Sequence, residues 1–364
     1  MFKKYHLFFA IVGVILTVFM VWYFSNIVAY VLISAVLSII GQPLVRRLHK
    51  IKIRKFSLPK SVCALITLIT IILLFVGFVW FFVPLISSQA NVISNINVSN
   101  VLAHFEGTIA SIQSLLVEYD IFEQGQTIDV FLAAQMESLV NIATFQVLFT
   151  NVLSTTGSFL MAVFSILFIT FFFLKDEHML STFILLLVPE KHEEQTRNVL
   201  AQTKFLLTRY FIGLIGEIVS MMTLLTIGLT ILGVKNALII GFLGGLMNVI
   251  PYLGPLIGAT MGVVFGVTSN LGLGMYDQIG IVTLGIIGTF AVANLFDNII
   301  LQPFIYSNSV KARPIEIFIV IIMAGTIAGI PGMILAIPAY TVIRILAKEF
   351  LNQLRLVKKL TEKM

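Results

Sequence analysis

Charge is what this chain has least of: Asp, Glu, Lys and Arg make up 11% of its 364 residues against 59% hydrophobic, and the mean hydropathy is +1.04. So little charge cannot cover a soluble globule, so the chain reads as a polytopic membrane protein. Cysteine is nearly absent too. The single Cys63 excludes an intramolecular disulfide, a cysteine zinc cluster and a two-cysteine redox motif. No glycine-lysine loop of the phosphate-cradling kind occurs, which argues against a built-in ATPase. No nucleophile-base or metal constellation can be assembled, so neither enzyme activity nor a cofactor is expected. One further absence is local: between Ser61 and Leu174 there is no lysine or arginine. Short basic loops stay cytoplasmic, so what is exposed in this interval belongs outside. The net charge of +6 is sorted in this way by side, which suits anionic lipid headgroups and not nucleic acid.

Lys3 and Lys4 precede an apolar run without a small-residue cleavage site, read as a retained anchor. The first span covers 5–24, and Ser25-Asn26 reads as a tight turn into a second over 27–44. The loop holding Arg46, Arg47, Lys50, Lys52, Arg54, Lys55 and Lys60 is then cytoplasmic. A third span, 61–83, ends near Pro84, which closes an N-terminal part of three spans over 1–84. Residues 85–151 form an extracytoplasmic amphipathic helical segment whose acids read as a solvated face. Residues 152–209 hold a fourth span, 152–174, and a cytoplasmic linker. His178, His192, Glu193 and Glu194 in that linker lack metal-site spacing and read as a solvated amphipathic helix.

The transport core is expected over 210–346, followed by a basic cytoplasmic tail, 347–364. After a fifth span, 210–232, the apolar residues 237–268 would make about 48 Å of helix, half again the bilayer's roughly 30 Å. Pro251 and Pro255 sit at the centre of this stretch among glycines, where proline removes a backbone donor. Two half-helices of about 14 residues, each about 21 Å long, are expected to dip in and return. The stretch 314–345 mirrors it, broken through Gly325, Gly329, Pro331 and Gly332, with the sixth span, 278–302, between the two. Full crossings would put Lys311 and Arg313 outside and the loop 269–277, which holds no basic residue, inside, against the charge rule; re-entry reverses both. The fold class is therefore all-α and polytopic: six transmembrane helices, two re-entrant helical hairpins of opposite orientation and a small helical extracytoplasmic segment, with both termini cytoplasmic.

Paired interrupted segments point to a transporter's binding site. Pro251, Gly254, Pro255, Pro331 and Gly332 lie where unwinding frees carbonyls and amides; Asn248 and Tyr252 add side-chain groups from the first turn. Gly241, Gly244 and Gly245 read as packing residues. The sixth span carries Asn294, Asp297, Asn298 and Gln302, the first three on one face by i+3 and i+4 spacing. Asp297 has two readings: it holds a cation, a proton or a solute hydroxyl, or it caps the broken backbone of a hairpin. Glu217 lies about two turns from the cytoplasmic end of its span, close enough to snorkel toward water.

The string Asn248-Val-Ile-Pro251-Tyr252-Leu-Gly254-Pro255-Leu-Ile-Gly258 resembles the signature of the autoinducer-2 exporter family. Gln42-Pro43-Leu44, Leu174-Lys175-Asp176, Arg209-Tyr210 with Gly213, Asp297-Asn298 before Leu301-Gln302-Pro303, and Gly329-Ile-Pro331-Gly332-Met333 with Pro338 extend the resemblance along the chain. It implies a homo-oligomer, a pentamer, in the bacterial inner membrane and an elevator-like movement of a hairpin-bearing domain. It also implies export of a small polar solute such as autoinducer-2 or, in some members, sodium-proton exchange. Three readings stand: an exporter, a cation/proton antiporter centred on Asp297, and a non-transporting oligomeric scaffold. The partners expected are the lipid bilayer and a small polar solute or a monovalent cation or proton.

Overall fold

The computed structural model describes residues 22–53, 56–94, 156–303 and 314–350, together with Leu16, Phe19 and Met20. The body of the first span, most of the outer segment, the loop with Lys311 and Arg313, and the basic tail beyond Phe350 lie outside the described residues. Apart from a short antiparallel ladder, β1 (Lys52–Ile53) with β2 (Phe56–Ser57), the regular structure described is helical. Among the described residues 6 helices, or up to 7 spans if a bent pair counts as one, are long and apolar enough to cross a membrane. The protein is thus a multi-pass helical membrane protein.

Two features differ from the sequence reading. Ser25 and Asn26 do not turn: they open α1 (Ser25–Lys50), and i→i−4 bonds from Phe24 to Met20 and from Val28 to Phe24 carry the helical pattern across the junction. Neither residue fixes a positive φ, and the apolar run continues on both sides, so nothing forces reversal. Likewise α2 (Lys60–Ser94) passes through Pro84, so the first ten residues assigned to the outer segment are still this helix. Membrane helices tolerate proline because neighbouring groups take up the freed backbone.

The chain divides into two compact units, residues 1–75 with 152–211 and residues 76–151 with 212–364. In the first unit α3 (Thr156–Lys175) packs along α1. Gly41 lets Leu174, Thr67 and Ile71 close over α1, and Val45, Cys63, Ala64, Leu68 and Leu174 form the core. Gln42 Nε2 donates to the Phe173 and Leu174 carbonyls at 3.1 and 3.2 Å, satisfying acceptors that the end of α3 leaves open. Beyond it, α4 (Met179–Leu186) is bent 91° from α3. This helix is apolar, with Leu180 and Phe183 exposed, within the stretch read as a cytoplasmic linker.

In the second unit, α5 (Glu193–Ile231) supplies Met221, Leu225 and Leu229 at i+4 spacing to a core shared with Ile240, Ile286 and Phe290. Residues 237–268 do break, but unevenly: α6 (Ala237–Met247) has 11 residues and α7 (Leu253–Gly272) has 20. They are therefore about 16 and 30 Å long instead of two equal halves. The two pack side by side, Gly258 of α7 lying on the Gly244 backbone of α6; Gly254, Gly258, Gly262 and Gly266 form one buried seam.

α8 (Ile279–Phe296) follows and ends in a π-helical turn, Asp297–Leu301. The last element, α9 (Pro314–Phe350), is bent at Ala328 and at Gly329, whose φ of 61° and ψ of −146° belong to a region only glycine enters readily. It doubles back on itself. Tyr340 Oη donates to Glu316 at 2.8 Å across 24 residues, a separation that would span about 36 Å in straight helix. Pro331 opens the second arm, where a missing N–H costs nothing.

Candidate functional site

The site is built where α6 stops. After Met247 the chain tightens into i→i−3 bonds, Val249 to Leu246 and Ile250 to Met247, and Pro251 then offers no N–H to continue. Leu253 N donates to the Pro251 carbonyl at 2.8 Å around Tyr252, whose φ of 66° and ψ of −46° describe a γ-turn of the strained kind. A Cβ on Gly254 would collide with the Met247 carbonyl, so only glycine closes the turn. This geometry leaves Asn248 buried and pointing inward.

Asn248 Nδ2 donates to Glu217 Oε1 at 3.1 Å, and the same amide lies beside the Asp297 carboxylate. Glu217 is 4% exposed and Asp297 0%, so both acids are out of reach of bulk water. Glu217 lies near enough to the end of its span to snorkel, but it does not: it is buried, with the Asn248 amide as a partner inside the fold. Gln302 Nε2 donates to Asp297 Oδ2 at 2.9 Å. In an α-helix residue i+5 sits about 140° round from residue i. The i→i+5 turn at Asp297 widens the helix and brings Gln302 back over it. Asp297 Oδ1 has no hydrogen-bond partner among the described residues. One turn away on each helix, Met221 and Ala293 belong to the apolar core, so the acids border a dry wall.

Four residues singled out from the sequence, Glu217, Asn248, Asp297 and Gln302, thus come together. Others do not join them. Asn298 is exposed and donates to Asn294, so the shared face expected for Asn294, Asp297 and Asn298 is split: the π-turn rotates Asp297 inward with Gln302. Tyr252 is 40% exposed and meets Phe318 edge-on at 6.2 Å. Pro251 and Pro255 are half-buried in the turn. Pro331 is exposed, and Gly332 is where the second hairpin's own arms touch, since a Cβ there would strike the Ala324 carbonyl. The two hairpins do meet: Ile250 packs with Ile321 and Ala336, flanked by Val249, Leu253 and Met333.

Sequence reasoning passed over a second buried polar group. Gln89, 1% exposed, receives Asn236 Nδ2 at 2.7 Å and donates to Ser269 Oγ at 2.9 Å, tying α2 to the open end of the α6–α7 pair. Its only signal was an amide near the end of an otherwise apolar helix. Among the described residues no three of His, Cys, Asp and Glu gather as a metal's ligands would.

Buried carboxylates beside a broken-helix turn, inside a bundle of apolar helices, are features from which multi-pass membrane transport proteins build their sites. The AI-2E family transporter profile matches residues 9–352, and the chain belongs to that family. It is 26% identical over 351 residues to a Bacillus subtilis (strain 168) protein named "Putative transport protein YueF", covering 92% of this chain and 86% of that one. YrrI of the same organism, which carries the same designation, is 28% identical over 185 residues, 51% of this chain and 50% of its own length. An archaeal counterpart, MJ1177 of Methanocaldococcus jannaschii, is 23% identical over 185 residues, 50% of this chain and 53% of its own.

Proposed function

We propose that this chain is a secondary transporter of the cell membrane that exports a small polar solute such as autoinducer-2, and that Asp297, Glu217, Asn248 and Gln302 hold the coupling proton or monovalent cation. The free oxygen of Asp297 carries this reading: a fully buried carboxylate with an unsatisfied acceptor costs about 1–3 kcal/mol or more unless something occupies it. A proton or a monovalent cation fits a site of two carboxylates and two amides. The α6–α7 pair and the folded α9 act as re-entrant hairpins of opposite orientation. α6, at about 16 Å, is too short to cross, and the pair carries Asn248 at its tip. An elevator-like movement of the second unit within a homo-oligomer supplies alternating access.

A second reading, cation/proton antiport without an organic solute, is favoured by the same Asp297 oxygen. Proteoliposomes separate the two. Under the antiport reading, sodium addition to wild-type proteoliposomes collapses an imposed pH gradient, and Asp297→Asn abolishes that response. A labelled small polyol moves only if the exporter reading holds. An unchanged sodium response in Asp297→Asn sinks the site assignment, and an intact oligomer inert in both assays leaves a scaffold.

A further inference from the structure

We propose that the first unit binds an anionic phospholipid of the leaflet on its basic side, one acyl chain lying in a furrow between α2 and α3 and the phosphate at Lys175. Leu65 and Leu68 of α2 and Phe164, Leu167, Phe168 and Phe171 of α3 line this furrow with carbon alone. It opens outward, since Leu65, Phe164 and Phe168 are 48%, 68% and 54% exposed. Both helices lean on α1 around Gly41, which leaves the space between them unfilled among the described residues.

The register identifies the occupant. Phe164, Phe168, Phe171 and Lys175 follow one another at spacings of four, three and four, so one helical stripe runs from three aromatic rings to an ammonium. From Phe164 to Lys175 is about 16 Å, half of the roughly 30 Å hydrocarbon core and hence the depth of one leaflet. Ser61 continues the stripe of Leu65 and Leu68 on the facing helix, placing a hydroxyl at the same end, with Lys60 beside it. The neighbouring acids are engaged elsewhere. Glu177 accepts from Arg46 at 2.6 Å and Lys204 at 3.1 Å, and Asp176 Oδ1 accepts the His178 amide at 3.0 Å. Lys175 makes no ion pair among the described residues; its Nζ lies 5.9 Å from the Phe172 ring. A cation without an ion pair among the described residues, one helical turn beyond Phe171 of the apolar furrow, is complementary to a phosphate carrying an acyl tail.

Bilayers containing lipids with brominated acyl chains test this on the full chain. Trp22 and Trp80 are first replaced by Phe, and Phe168→Trp then provides the only indole, with Leu65→Trp as a second reporter on the opposite wall should the first variant fail to fold. Brominated phosphatidylglycerol is expected to quench the indole with an apparent affinity about fivefold above brominated phosphatidylcholine, the weight of one lysine near an anionic headgroup. Lys175→Gln is expected to remove that preference while leaving quenching itself. Equal quenching by the two lipids before the lysine is changed reduces the furrow to ordinary lipid contact and overturns the proposal. Absence of quenching at both reporters shows the furrow covered by protein, by the N-terminal segment or a second copy, and overturns it as well.

Discussion

Asn248 shows how much a single amide contributes to this site. It donates to Glu217 and lies beside Asp297, so it links two carboxylates that are far apart in sequence. All three residues are legible as candidates, the two acids because a carboxylate in an apolar run is costly enough to demand a reason and Asn248 because it sits at the proline-glycine break. Their meeting is not legible, because it depends on where a turn of α6 and α7 lies against two other helices. A second carboxylate, Glu177, yields a pH prediction. Burial raises its pKa, but hydrogen bonds and charge from Lys204 and Arg46 outweigh this and lower it from 4.5 to about 2. A group depressed on folding stabilises above its unfolded pKa and loses that contribution as pH falls through the folded one. The thermal-stability advantage of wild type over Glu177→Gln is therefore expected to be full above pH 4.5 and to vanish as pH approaches 2. An advantage constant across that window would count against the assignment.

At the scale of elements, two turns depend on backbone that side chains obstruct. Tyr252 accepts a positive φ so that α6 can give way to α7 within five residues, a strain of about 1–3 kcal/mol that fits a site more than a scaffold. Gly254 and Gly332 stand where a methyl group would strike a carbonyl of the opposing arm, whereas Gly77 in α2 faces open space. Gly254→Ala and Gly332→Ala are each expected to cost about 1–3 kcal/mol by overpacking. Gly77→Ala is expected to gain about 0.5–1 kcal/mol from helix propensity alone. Unfolding midpoints in detergent compare the three directly, and equal midpoints would refute the packing argument. The prolines and glycines announced both breaks, and the bend at Ala328-Gly329 falls within the run Gly325 to Gly332 expected to break, yet the unequal arms of the first hairpin could not be placed from composition. Arm length is set by where carbonyls find partners after the proline, which is a matter of the turn's geometry.

For the whole molecule, charge sorting gives the most direct prediction. In a Cys63→Ala background, a cysteine at Lys235 is expected to react with a membrane-impermeant maleimide from outside intact cells, and one at Lys311 only after permeabilisation. Labelling of the Lys311 position from outside would show α6–α7 crossing fully, which the 20 residues of α7 are long enough to do. By itself the sequence determined that this is a helical multi-pass membrane protein, which stretches break, and which acids are exceptional. These follow from local quantities: transfer cost per residue, helix rise, and the conformational limits of proline and glycine. Tertiary structure decided that α9 folds back to join Tyr340 with Glu316, that the π-turn carries Gln302 to Asp297 and sends Asn298 outward, and that Glu217 is buried against Asn248 instead of reaching for water. Each of these depends on a hydrogen bond between residues that helical spacing alone would hold apart, so it exists only once the chain has folded.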